Sequence, residues 1–391
     1  MLQVCVYFQG MLYFDHAATT PVHPEVVQAM LPYFEQVYGN PSGVHRLARQ
    51  SRQVLEESRE RVAGCLNVRP EQVVFTSGGT EAGNLAIFGL AYRGRHIITT
   101  RVEHLAVLQP ARELERRGYD VTYLAVDKNG RVHPDQVASC LRYDTALVSV
   151  MLANNEVGTL QPVAEIARRC REKEVLLHTD AVQAVGTLDC DFESLGVQAL
   201  SLSAHKFYGP KGVGALVVAP DLELSPRLLG GGQEGGRRSG TENLAGIVGL
   251  ARALELALAD RVERAARLEK LSEKLYDYLL AIPGVHRTGH PTERHPAIVS
   301  VAVEGAAGEA LLMELDQAQV AASTGSACST ATLEPSHVLR AMGVPLARAH
   351  GSLRFSLGRS STEADVMKVA RVTRLAVERL RELAPADLRG T

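Results

Sequence analysis

The chain has no imbalance of charge. Its 42 Lys and Arg stand against 44 Asp and Glu, a formal charge of -2, so no global field favours wrapping a nucleic acid, and no direct nucleic-acid binding is expected. It also has no apolar run near the roughly 18 residues that a membrane-spanning helix needs, and its start lacks a basic stretch, apolar core and cleavage site. No membrane association and a cytoplasmic location are therefore expected. The six cysteines, at 5, 65, 140, 170, 190 and 328, contain no CxxC pair and no clustered metal-ligand spacing, which points to a reducing compartment and no metal. No repeat of 20–50 residues and no low-complexity block is present, so a solenoid or propeller is excluded. Neither the dinucleotide fingerprint nor GxxxxGK[ST] occurs, and nothing predicts NAD binding or nucleotide hydrolysis.

What is present is a chain of 391 residues, 46% hydrophobic and 22% charged, long enough for two globular domains or one large one. Tyr7-Phe8-Gln9-Gly10 before Met11 reads as the remnant of a protease site, so residues 1–10, Cys5 included, carry no functional weight. From residue 44 onward helical and β-branched segments alternate: helices over 44–66, 81–91, 105–117 and 163–173 interleave with strands over 73–75, 96–99, 121–124, 146–150 and 175–178. Strands over 197–202 and 213–218 follow. The pattern predicts a mainly parallel sheet covered on both faces, in a large α/β domain over 21–260. Long helical material over 244–280 precedes shorter strands at 297–303 and 352–356, interleaved with helices at 309–315, 336–341 and 363–380. That fits a smaller α+β domain over 261–391, with a boundary between 260 and 285, joined by an N-terminal segment, 11–20, that supplies its first helix.

Three segments can carry chemistry. In Ser203-Ala204-His205-Lys206 an apolar strand ends in a hydroxyl, an imidazole and an amine, where open α/β sheets bind ligands. Lys206 there can form a Schiff base with a carbonyl cofactor, and Ser203 and His205 can donate to its phosphate. Taken alone, Lys206 reads equally well as a solvated turn lysine. A second strand ends at Asp180, with Gln183 three residues on: the acid can pair with a protonated pyridine nitrogen and the amide with a phenolic oxygen, or Asp180 is a helix cap and Gln183 exposed. Thr76-Ser77-Gly78-Gly79-Thr80 opens a helix, so Gly79, Thr80 and successive amides can cradle a phosphate, or form a capped turn. His104 beyond the 96–99 strand can stack on a planar ring, or is structural.

Together with the runs 13–20, 38–42, 75–84 and 151–159, these motifs resemble the pyridoxal-phosphate-dependent cysteine desulfurases, in the subgroup linked to nitrogen fixation and iron-sulfur assembly. The resemblance covers the chain from Leu12 to the last helix. It implies the fold-type I transferase architecture, with a seven-stranded sheet. It implies Lys206 as the covalent anchor of pyridoxal 5'-phosphate and His104 as the stacking group. Asp180 and Gln183 would then lie at the ring nitrogen and phenolic oxygen, with Gly79, Thr80, Ser203 and His205 at the phosphate. Thr241, in Ser239-Gly240-Thr241-Glu242, is expected to reach the phosphate of a second subunit, which implies a homodimer. Asn155 and Arg354 match positions that hold the substrate carboxylate, a role suited to a guanidinium fork.

Cys328 decides the substrate class. It lies in a hydroxyl-rich segment, 323–335, that resembles the extended active loop of this subgroup, and its thiolate would take sulfur from L-cysteine to leave L-alanine and a persulfide. Iron-sulfur scaffold proteins and tRNA-thiolation proteins are the implied acceptors. Cys65, Cys140, Cys170 and Cys190 read as structural thiols. The alternatives are another lyase or aminotransferase on the same cofactor fold, with Cys328 incidental, or a non-catalytic sulfur-assembly scaffold. His290 and His295 are expected in a solvated loop, and Arg237 and Arg238 beside acidic neighbours near Thr241.

Overall fold

A computed structural model describes residues 10–325 and 335–383. Among them twelve strands run in chain order: β1 (Leu12–Tyr13), β2 (Val73–Thr76), β3 (His96–Thr100), β4 (Asp120–Leu124), β5 (Thr145–Ser149), β6 (Leu176–Asp180), β7 (Ala199–Ser203), β8 (Gly214–Val218), β9 (Val285–Arg287), β10 (Ile298–Val303), β11 (Val320–Ala321) and β12 (Ser352–Ser356). Seven form one sheet in the order β2-β8-β7-β6-β5-β3-β4, in which β8 alone runs against its neighbours. The architecture is that of a fold-type I transferase. Six of the seven strands, all but β4, are buried at every residue, as strands covered by helices on both faces must be.

The helices follow from spacing and caps. In Arg46–Leu66 the buried positions Leu55, Ser58, Arg59, Val62, Ala63 and Leu66 recur at three- and four-residue intervals, His45 caps the start, and Asn67 in the left-handed region (φ 55°) ends it. This stripe packs against Leu244–Ala259 over the sheet. The helical material at 244–280 is two helices rather than one, because Asp260 leaves helical geometry and its carboxylate binds Arg264 and Arg359, the latter at 2.6 Å.

A second apolar cluster gathers Phe14, Tyr276, Val299, Val301, Phe355 and Val369 around the antiparallel sheet β12-β10-β9. The N-terminal segment joins it as a strand, correcting the expected helix. Leu12 and Phe14 donate backbone N–H groups to Gln319 and Ala321, both at 2.8 Å, and β1 lies parallel to β11. The extended course buries Phe14 fully. Cys170 and Cys190 are buried and Cys65 and Cys140 half-buried, all as free thiols. No helix among the described residues is long and apolar enough to cross a membrane.

One buried ion pair holds β2 in place. Arg59 grips both oxygens of Glu234, each at 2.8 Å, and Glu234 also accepts from the backbone N–H of Phe75. Removing one partner strands a buried charge, so Glu234→Ala is expected to lower stability by about 3–5 kcal/mol, read from denaturant midpoints; a loss below about 1 kcal/mol contradicts this account.

Candidate active site

Because β2 and β7 both run against β8, they point the same way as each other and as β3, β5 and β6. With β4, which runs parallel to β3, the carboxyl ends of six strands therefore open on one edge. Gly214 permits the closure there, since a Cβ on it would come within 2.5 Å of the Leu202 carbonyl. At this edge lies a cavity of about 310 Å³ lined by Gly79, Thr80, His104, Asn155, Asp180, Gln183, Ser203, His205, Lys206 and Arg354, together with Ala17, Ala18, Ala106, Met151, Ala153 and Val182.

Lys206 ends the short turn Ala204–Lys206 that follows β7, and its Nζ donates to the carbonyls of Ala17 at 2.5 Å and Ala18 at 3.0 Å. Gln183 Nε2 donates to the same Ala17 carbonyl at 2.8 Å. Asp180 is the last residue of β6 and accepts from the Val182 N–H at 2.9 Å, so it caps the following turn and faces the cavity as well. Burial pushes the Asp180 carboxyl up, against the pull of His104 and Lys206. Beneath it, His178 bridges Ser149 and Ser201, each at 2.8 Å, tying β5, β6 and β7 together; burial holds this imidazole down at about 3 and therefore neutral.

His104 caps the helix Leu105–Arg116 by accepting from the Ala106 N–H on Nδ1 at 3.1 Å. Burial lowers its pKa, with Asp180 opposing and Lys206 adding. A neutral ring that accepts on Nδ1 carries its proton on Nε2. His205 meets Thr19 Oγ1 through Nδ1 at 3.1 Å, and burial, then Lys206 and Lys211, hold it down at about 4. The helix Gly79–Leu90 begins at the cavity after Gly78, whose φ of 152° suits glycine, and a Cβ on Gly79 would come within 2.6 Å of Val182.

Arg354 reaches the cavity from the other sheet. Its Nη2 donates to Asp15 Oδ1 and its Nη1 to the backbone carbonyl of Asn155, both at 2.8 Å, so Asn155 contributes main chain here. Thr241 is exposed and does not line the cavity. Cys328 lies outside the described residues. Arg238 pairs with Glu81 at 2.8 Å, bracing the cradle helix against the 232–240 turn. His290 is half-buried, whereas His295 is buried, which corrects the expected solvated loop: its backbone N–H donates to Gly158 at 2.7 Å and its ring lines a small cavity behind Gln183 and Lys206.

Sequence reasoning missed the residues behind the cavity wall. Asp15 falls inside the 13–20 motif but had no role until its partner Arg354 was seen. Glu103 directly precedes His104; it is fully buried, accepts from Thr100 Oγ1 at 2.8 Å and the Met151 N–H at 3.0 Å, and burial raises it to about 8. Glu156 is buried beside Ser336, with burial raising it to about 7 against Ser336 and Arg354.

Residues 12–369 match the aminotransferase class-V family. The chain belongs to that family. Among its relatives, the cysteine desulfurase IscS of Methanosarcina thermophila is 48% identical over 96% of this chain and 94% of its own. A solved NifS-like protein superposes with a TM-score of 0.87 at 38% identity, covering 95% of this chain and 99% of its own. A third protein, SspA solved in complex with cysteine, gives a TM-score of 0.78 at 35% identity over 88% of this chain and 98% of its own. The class-V chain is a pyridoxal-phosphate-dependent cysteine desulfurase, converting cysteine to alanine with formation of a persulfide.

The residues present fit the cofactor. A helix amino end flanked by Ser203 and His205, with Gly79 where a Cβ would meet Val182, suits a phosphate, and the buried Asp180 carboxylate lining the same cavity suits a cationic ring nitrogen. Glu103 sets a measurable pH effect in the cofactor-free protein. Its raised pKa means that the native state binds more protons than the unfolded chain between about 4.5 and 8, so it costs stability as pH rises through that window. Relative to Glu103→Gln, the wild type should lose thermal stability from pH 5 to 8, by at most about 1.4 kcal/mol per pH unit, and a pH-independent difference contradicts the assignment.

Proposed function

We propose that Cys328 is the sulfur carrier of this desulfurase and that the cavity at the sheet edge is where L-cysteine is opened. The observation that carries this reading is the convergence of Lys206 and Asp180, from adjacent strand ends, with Arg354 from the second sheet on one cavity. Lys206 Nζ would be the covalent anchor of pyridoxal 5'-phosphate. Gly79, Thr80, Ser203 and His205 would hold the phosphate, Asp180 would serve the ring nitrogen, Gln183 the phenolic oxygen, and His104 would stack on the ring. Bound there, the cofactor supplies an electron sink that acidifies the substrate Cα proton and weakens the Cβ–S bond.

The chain's own residues do the rest. Arg354, already oriented by Asp15 and the Asn155 carbonyl, fixes the substrate carboxylate with Asn155 beside it. Lys206 Nζ and His104 Nε2, both lining the cavity, carry the proton taken from Cα and the proton delivered to Cβ. Cys328 Sγ, as thiolate, attacks the substrate sulfur: an S–S bond forms, the Cβ–S bond breaks with its electron pair left on carbon, and protonation there leads to L-alanine. Sulfur stays on Cys328 at the persulfide level, and no external oxidant or reductant is needed. The relative solved with cysteine supports the same substrate for this chain.

The working unit is a homodimer. Thr241 of each copy serves the phosphate of the other, a reading supported by its exposure away from its own cavity and by the exposed apolar side chains of Phe34, Tyr38, Val44 and Leu229. Residues 21–260 form a large cofactor domain, and 261–391, joined by 11–20, a smaller domain carrying Arg354 and Cys328. The acceptors are iron-sulfur scaffold or thiolation proteins in the cytoplasm. Cys328→Ala is expected to keep the visible absorbance of the bound cofactor while abolishing both alanine release and the one-sulfur mass addition to the protein; turnover within about twofold of wild type removes Cys328 from the mechanism. Lys206→Ala should lose the visible band itself, and a retained band shows another lysine to be the anchor.

A further inference from the structure

The phosphate cradle carries a carboxylate of its own. An open cavity of about 370 Å³ at the amino end of the helix Gly79–Leu90 shares Gly79, Thr80, Ser203 and His205 with the site above and adds Lys211 and Glu81. Burial and the two neighbouring lysines hold His205 down at about 4, so it is neutral, and the charges of Lys211 and Glu81 oppose one another. Glu81 is the third residue of the helix, and its Oε2 accepts from the Ser77 N–H at 2.8 Å, so it cannot swing away from the cradle without uncapping that helix. Arg238 meets the same carboxylate as a fork, Nε on Oε1 at 2.8 Å and Nη2 on Oε2 at 3.2 Å. The two side chains are only 19% and 16% exposed, which limits screening of the pair by solvent. Burial by itself raises the Glu81 carboxyl, but the Arg238 fork and Ser77 overcome it and leave its pKa low, and the same fork raises that of Arg238. The turn that presents Arg238 is fixed without Glu81: the Gly240 N–H donates to Gln233 Oε1 at 2.8 Å, and the Ser239 N–H to the Leu228 carbonyl at 3.2 Å.

We infer that Arg238 sets the affinity of the cradle for the cofactor phosphate without touching it, by cancelling the Glu81 charge that the phosphate would otherwise face. The helix needs the Glu81 carboxylate as a cap, whereas a phosphate at the same helix end needs that charge neutralised. The Arg238 fork satisfies both demands. A lone charge within a helical turn of a bound dianion changes its affinity by about 5- to 30-fold at the dielectric of a protein surface. The inference rests on the reading that Gly79, Thr80, Ser203 and His205 hold the phosphate.

The test strips the full-length protein of cofactor and measures, from the visible band, rebinding of pyridoxal 5'-phosphate and of pyridoxal, which lacks the phosphate. Wild type, Arg238→Gln, Glu81→Gln and the double variant are compared. Arg238→Gln leaves the pair with a negative charge, Glu81→Gln with a positive one, and the double variant with none, like the wild type. Affinity for the phosphate form should therefore fall about 5- to 30-fold in Arg238→Gln, rise by a similar factor in Glu81→Gln, and return to within about threefold of wild type in the double variant. Pyridoxal affinity should stay within about twofold throughout, and the differences for the phosphate form should shrink in about 1 M salt. An ion pair with a merely structural role predicts another order, in which all three variants weaken and both ligands are affected alike. An Arg238→Gln affinity within about twofold of wild type, an equal loss for pyridoxal, or no recovery in the double variant overturns the inference. If Arg238→Gln does not fold, Glu81→Gln decides alone: a gain confined to the phosphate form supports the inference, and no gain overturns it. A wild type that binds pyridoxal as tightly as the phosphate form removes the phosphate reading of the cradle and this inference together, whereas a strong preference for the phosphate form that no variant alters removes the inference alone.

Discussion

The site depends on seven residues at the start of the chain that bridge the two sheets. Phe14 is buried among the apolar residues around β10 and β12, and its carbonyl takes the Ser356 N–H at 2.7 Å. Asp15 then engages Arg354, and the carbonyls of Ala17 and Ala18 receive Lys206, with Gln183 sharing the first of them. Thr20 closes the run by donating to the His205 carbonyl at 2.9 Å and accepting from the Tyr208 N–H at 2.9 Å. Turn carbonyls can serve both sides in this way because no helix or ladder has claimed those groups. The relative placement of the amine and the guanidinium is thus set by a segment that contributes almost no side-chain chemistry to the reaction.

Below this bridge the sheet edge is fixed by polar contacts inside an otherwise apolar core. Arg59 and Glu234 hold β2 where the phosphate cradle begins, and the Ser149-His178-Ser201 line binds the three strands under Asp180. Such buried groups are costly unless paired, and here each pairing spans elements far apart in sequence. Their yield is registry: the ends of β2, β6 and β7 arrive at one level, so residues 79, 180 and 206 can face a single small molecule.

Much of this was legible beforehand, for reasons that differ by element. β3, β5 and β7 are short apolar or β-branched runs whose burial on both faces needs no knowledge of partners, and the strand 352–356 falls where its residues read. Lys206, Asp180 and the Gly78-Gly79 turn stand at strand ends, a position that a sequence displays directly. The N-terminal strand was not legible, because a two-residue strand has no period to read and exists only through β11. His295 was misread for a similar reason: glycine and proline neighbours suggest a loop, and only the packing of that loop under Gln183 buries it. Asp15, Glu103 and Glu156 belong to recognisable runs, but their work is done through partners 48 to 339 residues away, a separation that no local pattern encodes.

The burial of the remaining cysteines has a consequence for chemical fidelity. Burial holds the thiols of Cys170 and Cys190 up at about 12 and that of Cys65 at about 11. At neutral pH only about one in 10⁴ to 10⁵ of such groups is ionised, and a neutral thiol neither attacks a sulfane sulfur nor accepts it readily. An enzyme that generates transferable sulfur is its own nearest target. By keeping these three thiols protonated, and two of them fully enclosed, the fold makes them poor acceptors for the sulfur the enzyme mobilises.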